Sequence, residues 1–368
     1  MSVSVSPEQF KSLADCLLDN SGKTPLHERF RALFTLKAVA SEQAVEVIAS
    51  GFADPSALLK HELAYVLGQI GRPSAIPHLE KVLIDADGFQ GEMVRHEAAE
   101  ALGALSSLQS LELLKKYRAD ESRSVRETCE IAVAKIEWDH FTEEGRERKQ
   151  DPNFPTVDPA PAAAAAAAGG LENETIPSLR TTLLDSSKHL FERYRAMFAL
   201  RNAVVSASST EKAREAVLAL ADGFNDSSAL FRHEIAYVFG QLSSPYSIPA
   251  LLRTMRDPKE DDMVRHEAAE ALGGIASEGE QGTFDSPEDE ERGVLQILRD
   301  WAVKEDAPPV VRESCQVAVD MWEYENSNQF QYADGLITAK AGEEGEAEAG
   351  KQRLTGMDRG VNVAAVEV

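Results

Sequence analysis

The chain has 368 residues, of which 62 are acidic and 38 basic, for a formal net charge of −24. A chain so negative repels phosphate backbones, which argues against nucleic acid as a partner and favours basic ones. Hydrophobic residues make up 43% and aromatics only 7%, a balance suited to a helix-rich chain long enough for two ordinary domains or one long repeat array.

At the N-terminus, Met1 to Pro7 lacks the basic-then-apolar layout of a signal peptide. No later run approaches the roughly 18 apolar residues of a membrane span, so neither secretion nor a membrane partner is expected. Three widely spaced cysteines, Cys16, Cys129 and Cys315, read as buried thiols of a reducing compartment. The expected location is the cytoplasm, with the nucleus as a further compartment.

From Glu28 onward the chain repeats itself at two levels. On the larger scale, Met93 to Gly103 recurs unchanged as Met263 to Gly273, and Leu58 to Gln69 returns with few changes as Leu230 to Gln241. Glu28 to Phe34 matches Glu192 to Phe198, and Val125 to Cys129 matches Val311 to Cys315. Two duplicated halves follow, residues 1–150 and 177–333. On the smaller scale each half holds four units, with the length of paired-helix repeats of the HEAT or armadillo type. Apolar residues within a unit fall at helical spacing, as Val94, Ala98, Ala101, Leu102 and Leu105 do. Asp54-Pro55 reads as a helix start, placing His61 about two turns inside. The expected fold is all-α: eight helical-hairpin units in two duplicated halves forming an α-solenoid.

Three segments interrupt this pattern. Residues 151–176, rich in proline, alanine and glycine, read as a flexible linker. Residues 277–291 read as an acidic insertion before the last unit, and 334–368 as a disordered tail. With no sign of a large apolar interface between the halves, any group bound jointly by both is expected to clasp them together.

Four helices carry adjacent histidine and glutamate: His61-Glu62, His96-Glu97, His233-Glu234 and His266-Glu267. The outer units keep the apolar pattern without the full set: Glu127-Thr128 and Glu313-Ser314 in the last units, His27-Glu28 and Phe191-Glu192 in the first. The pairs are therefore an addition to the scaffold. Four imidazoles and four carboxylates suit two divalent metals with mixed nitrogen and oxygen ligands, and four negative charges balance two doubly charged ions. The absence of thiolates from the set weakens a structural zinc reading. Iron with dioxygen, manganese and a hydrolytic metal pair all stay open on these residues alone.

Seven residues after each paired histidine stands a glycine, Gly68, Gly103, Gly240 and Gly273. Two readings compete: a groove where substrate approaches the helix backbone, or tight helix packing. Four residues after each histidine stand Tyr65, Glu100, Tyr237 and Glu270. Glu100 and Glu270 are candidates to receive cationic amines, and the tyrosines to line a channel; ordinary exposed helix residues are the alternative. His27, His78, His140 and His189 lie outside the pattern and read as surface or packing residues.

Eight such units with His-Glu in the middle two of each half resemble the deoxyhypusine hydroxylase family. The resemblance covers about residues 7 to 330. It implies a monooxygenase, an oxidoreductase acting on the deoxyhypusine side chain of eukaryotic translation initiation factor 5A. It also implies two ferrous ions as cofactor and dioxygen as co-substrate. Carried over, it assigns one iron to His61, His96, Glu97 and Glu234 and the other to Glu62, His233, His266 and Glu267. Exchanging the halves converts one set into the other. The rival functions are a non-catalytic repeat scaffold for a basic protein and a binuclear metallohydrolase.

Overall fold

Small hydroxyl side chains set many of the helix starts. The protein is seen in a computed structural model that describes residues 4–19, 21–147, 153–163, 175–276 and 284–326. Ser6, Ser41, Ser56, Ser122, Thr175, Ser209, Ser228 and Ser286 each accept a backbone N–H from the first turn of the following helix. Each cap satisfies a donor that a helix start otherwise leaves unpaired. At the helix bearing His61 the cap is Ser56, not the expected Asp54. Asp54 instead accepts the Ser56 N–H at 2.8 Å and the Arg29 guanidinium.

The first half contains α1 (Pro7–Leu18), α2 (Leu26–Val39), α3 (Glu42–Ser50), α4 (Ala57–Ile70), α5 (Ile76–Ile84), α6 (Gly91–Ala104), α7 (Leu111–Tyr117), α8 (Arg123–Phe141) and the short α9 (Glu143–Glu147). The second contains α10 (Ile176–Leu184), α11 (Leu190–Val205), α12 (Thr210–Ala221), α13 (Ala229–Leu242), α14 (Ile248–Arg256), α15 (Asp262–Ala276), α16 (Pro287–Ala302) and α17 (Pro309–Asn326). No strand forms among the described residues, so the all-α expectation holds. Each unit pairs an outer helix with an inner one, and α2, α4, α6, α8, α11, α13, α15 and α17 form the inner row.

The glycines decide how closely inner helices approach. A Cβ on Gly68 would stand 2.9 Å from the Cα and Cβ of Ala101; on Gly103, 3.0 Å from Ala132 Cβ; on Gly273, 2.6 Å from Ala318 Cβ. In all three the neighbour is the next inner helix, so tight packing explains them and a substrate groove is not needed. Gly68→Ala gains about 1 kcal/mol in helix propensity but overpacks backbone against backbone, which costs about 1–3 kcal/mol. We expect a net loss of stability, read as a lower urea midpoint with an unchanged slope.

A repeated arginine fixes the register. Arg29, Arg95, Arg193 and Arg265 each donate Nε–H to the last carbonyls of the preceding outer helix, on Leu17, Leu83, Leu183 and Met255. Arg95 and Arg265 directly precede a paired histidine. The residues in the histidine place of the first units are therefore Phe30 and Tyr194, three positions beyond the His27 and Phe191 expected. The place seven residues on falls to Lys37 and Arg201.

The row of inner helices closes on itself. α17 packs against α2 and α4, and α8 against α11 and α13. At the first seam His27 Nδ1 lies 2.7 Å from Asp320, Ser56 Oγ donates to Glu313 at 3.0 Å, and Arg31 stacks 4.4 Å over the Tyr324 ring. At the second, Ser228 Oγ donates to Glu127, Arg123 to the Ser227 carbonyl at 2.9 Å, and Arg195 lies 2.9 Å from Glu144. In each seam, then, the serine capping a His-Glu helix meets the glutamate in the histidine place of a last unit.

The joining segment is not simply a flexible linker. Within residues 153–163, Phe154, Thr156, Asp158 and Ala160 are buried. The Val157 N–H donates to Gln69 Oε1 at 2.9 Å, and Gln241 Nε2 donates to Thr156 Oγ1 at 2.9 Å. Proline-rich composition indicated an extended chain but not the ring it crosses. Residues 164–174 lie outside the described residues, as do 277–283 of the acidic insertion and the whole tail 334–368. The end of the insertion is helical: Ser286 caps α16, which bends at Gly293 (φ 69°), and Asp289 binds Arg256.

Candidate metal centre

The inner helices bring all four His-Glu pairs to one buried layer. α4 presents His61 and Glu62, α6 His96 and Glu97, α13 His233 and Glu234, and α15 His266 and Glu267. None of the eight is more than 4% exposed. The imidazole rings converge from both halves: His61 lies 5.5 Å from His96, 5.7 Å from His233 and 5.2 Å from His266, centroid to centroid. His96 and His233 are 5.4 Å apart, His233 and His266 5.6 Å.

So many buried ionisable groups penalise one another. Burial, then the neighbouring imidazoles His233, His61 and His266, push the His96 pKa well below the ordinary histidine value. Burial is also the main reason the His233 pKa falls to about 3. For Glu234, burial and the carboxylates of Asp158, Glu97 and Glu267 raise the pKa well above the usual carboxylate range, with Arg201 opposing. His61 goes the other way. Burial lowers it, but Glu97 at 3.2 Å and Glu62 at 3.4 Å outweigh that and its pKa is raised.

The atoms present fit bound cations. Both ring nitrogens of His96 and Oε1 of Glu234 are buried without a hydrogen-bond partner, a costly arrangement that native interiors mostly avoid. Neutral imidazole lone pairs and carboxylate oxygens are the donor set for imidazole-carboxylate metal sites. Two groups have ligand atoms mutually within 4.8 Å: His61, His96, Glu97 and His233, and then His233, His266 and Glu267. Each contains three members of one expected ligand set, with His233 shared. Glu62 and Glu234 lie in the same layer but outside these groups.

One turn further along the helices sit Tyr65, Glu100, Tyr237 and Glu270. The tyrosine hydroxyls face each other at 3.4 Å, and Gln241 Nε2 donates to Tyr237 at 3.2 Å. The two glutamates have diverged. Glu270 is buried, 3.4 Å from His266 Nδ1 and accepting from Ser314 Oγ at 3.1 Å, so it backs a candidate ligand and does not face an open groove. Glu100 is half-buried, and burial together with Glu234 and Glu97 raises its pKa well above the usual range.

Sequence reasoning missed Ser314, Arg201, Thr156 and Asp158. The hydroxyl shared by Thr128 and Ser314 was a usable signal for the first; nothing in the composition of the joining segment marked the last two. The remaining histidines stay outside the layer: His27 in a seam, His78 near Glu46 at 3.3 Å, His140 on the Ser106 carbonyl, and His189 4.0 Å from Glu130.

The ring of helix pairs and its buried layer define the class: a HEAT-repeat protein with a histidine–glutamate centre suited to metal. Family models agree with the fold, HEAT repeats over residues 217–319 and the PBS lyase HEAT-like repeat over 59–85 and 94–120. The chain is 59% identical to a deoxyhypusine hydroxylase of Cryptococcus neoformans, across 99% of this chain and 98% of that one. It is 50% identical to a deoxyhypusine hydroxylase of Danio rerio, over 86% and 92% of the two chains. The solved structure of human deoxyhypusine hydroxylase in complex with glycerol superposes with a TM-score of 0.72 at 44% identity, covering 86% of this chain and 96% of that one. The chain belongs to the deoxyhypusine hydroxylase family of enzymes.

Proposed function

We propose that this enzyme hydroxylates the deoxyhypusine side chain of eukaryotic translation initiation factor 5A, using two iron ions and dioxygen. The observation that carries the reading is the meeting of four His-Glu pairs from two halves in one buried layer, with ligand-type atoms of His96 and Glu234 left unpaired. His61, His96, Glu97 and Glu234 would hold one ion, and Glu62, His233, His266 and Glu267 the other. Bound iron supplies the activation of dioxygen needed at an unactivated C–H bond, which no protein side chain oxidises.

The chain's own residues do the rest. The apolar wall of the inner helices excludes water that would quench a reactive oxidant. Glu270, backed by Ser314, fixes the orientation of His266. Glu100 offers a carboxyl group that a cationic amine of the substrate would draw into its charged form, and the Tyr65–Tyr237 pair forms an adjacent wall. The net charge of −24 draws a basic protein partner to the enzyme. The reading places the enzyme in the cytoplasm, where its free cysteines, Cys16, Cys129 and Cys315, stay reduced.

Metal analysis with an optical spectrum and a mass assay on deoxyhypusine-bearing factor tests this. Two irons per chain, a visible charge-transfer band and the gain of one oxygen in the substrate are expected. Zinc would indicate a hydrolase, and a metal-free native protein a binding scaffold. Glu100→Gln is expected to keep both irons and weaken substrate binding roughly fivefold. That is less than the ~1.5–3 kcal/mol of a charged hydrogen bond, because the residue is only partly buried. Unchanged binding in a titration would return Glu100 to an ordinary helix position.

A further inference from the structure

We propose that Asp158, contributed by the segment between the halves, is a positioning residue that keeps the Arg201 guanidinium away from Glu234. The inference rests on the di-metal reading, in which Glu234 is a ligand. Arg201 is 1% exposed and carries a charge that it cannot shed. Its Nη1 and Nη2 donate to the two carboxylate oxygens of Asp158 at 3.0 and 2.8 Å. Nη1 also donates to Gln241 Oε1 at 2.8 Å and Nε to Asn202 Oδ1 at 3.2 Å. The Phe154 ring lies 3.7 Å below the guanidinium and Phe198 4.8 Å away. The joining segment thus supplies both the anion and an aromatic face.

Glu234 is a buried carboxylate on α13, the helix that Arg201 contacts at Gln241. Through Gln241, Arg201 already touches α13 seven residues beyond Glu234, about 10 Å along the helix. Glu234 Oε1 is buried without a hydrogen-bond partner. A dry guanidinium deprived of Asp158 gains most by pairing with another buried carboxylate. That pairing occupies the oxygens that would otherwise bind metal.

The duplication provides an internal control. In the other half Glu62 takes the place of Glu234, and Lys37 that of Arg201. Lys37 is only half-buried, beside the rings of Phe34 and Tyr65 at 5.7 and 5.6 Å. A cation with access to water does not need a buried counter-ion in the same way. The segment delivers its acid to the half whose cation is sealed.

Anaerobic titration of the full-length protein with ferrous iron tests this, followed by metal analysis and circular dichroism. Wild type is expected to bind two irons. Asp158→Asn should keep its helix content and bind one of the two at least tenfold more weakly. The double variant Asp158→Asn with Arg201→Met should again bind two, since nothing remains to capture Glu234. If Asp158 merely fastens the joining segment, the double variant will bind no better than the single one, and the proposal is overturned. Two tight irons in Asp158→Asn would overturn it as well. Should Asp158→Asn not fold, the double variant decides alone: two irons support the proposal and fewer refute it. No iron in wild type would instead bring down the di-metal reading, and this inference with it.

Discussion

Replacing His96 or His266 with alanine is expected to abolish hydroxylation and release iron while leaving the helices in place. Both rings are fully buried, and His96 has no hydrogen bond to lose on either nitrogen. Removing an unpaired buried polar group relieves desolvation, which offsets part of the cavity cost of about 2–5 kcal/mol typical of large truncations. The internal comparison points the same way. Phe30, Tyr194, Glu127 and Glu313 occupy the same place on inner helices, so the helix does not depend on histidine there. Activity is another matter. Even partners of a metal ligand are commonly worth about 10- to 100-fold, so loss of the ligand itself should cost at least two orders of magnitude. Circular dichroism, metal analysis and product mass on the same preparations separate the effects. Full activity in either variant would remove the metal assignment, whatever the fold.

The sequence made the centre legible because the centre is duplicated. Two copies of an adjacent His-Glu pair in each half, at one register, separate chemistry from scaffold without any structure. The first units were harder to read, because His27-Glu28 imitates a pair while the structural place belongs to Phe30. What identifies that place is the arginine before it, Arg29, through its bond to the Leu17 carbonyl. That signal lies in hydrogen bonding, not in side-chain type. Asp54-Pro55 misled for a related reason: aspartate and serine both cap helices, and Ser56 took the role. Closure of the ring was out of reach. Ser56 and Glu313 are brought together by curvature accumulated over every unit between them, and no local pattern encodes that sum. Asp158 was hidden by its surroundings, since proline and alanine around it describe an extended chain and are silent on what the chain crosses.

Removing the metals is expected to leave the ring closed and lower its melting temperature. From the sequence alone, ions bound by both halves looked like the only clasp available. The structure adds two protein seams and a buried strap. Ser56–Glu313, His27–Asp320 and the Arg31–Tyr324 stack join one side. Ser228–Glu127, Arg123–Ser227 and Arg195–Glu144 join the other. Between them Arg201 and Asp158 form a buried ion pair, the kind whose one-sided disruption costs about 3–5 kcal/mol. None of these contacts uses a candidate ligand. Iron at a hundred- to thousand-fold excess over its dissociation constant still stabilises the native form by about 3–4 kcal/mol. For a chain of this size that is worth roughly 5 °C in melting temperature. Small-angle scattering of the iron-loaded and metal-free protein should therefore give superimposable curves, while calorimetry shows the shift. A larger radius of gyration without metal would mean that repulsion among Glu62, Glu97, Glu234 and Glu267 overcomes both seams. The ions would then be the clasp after all, and the ring a product of loading.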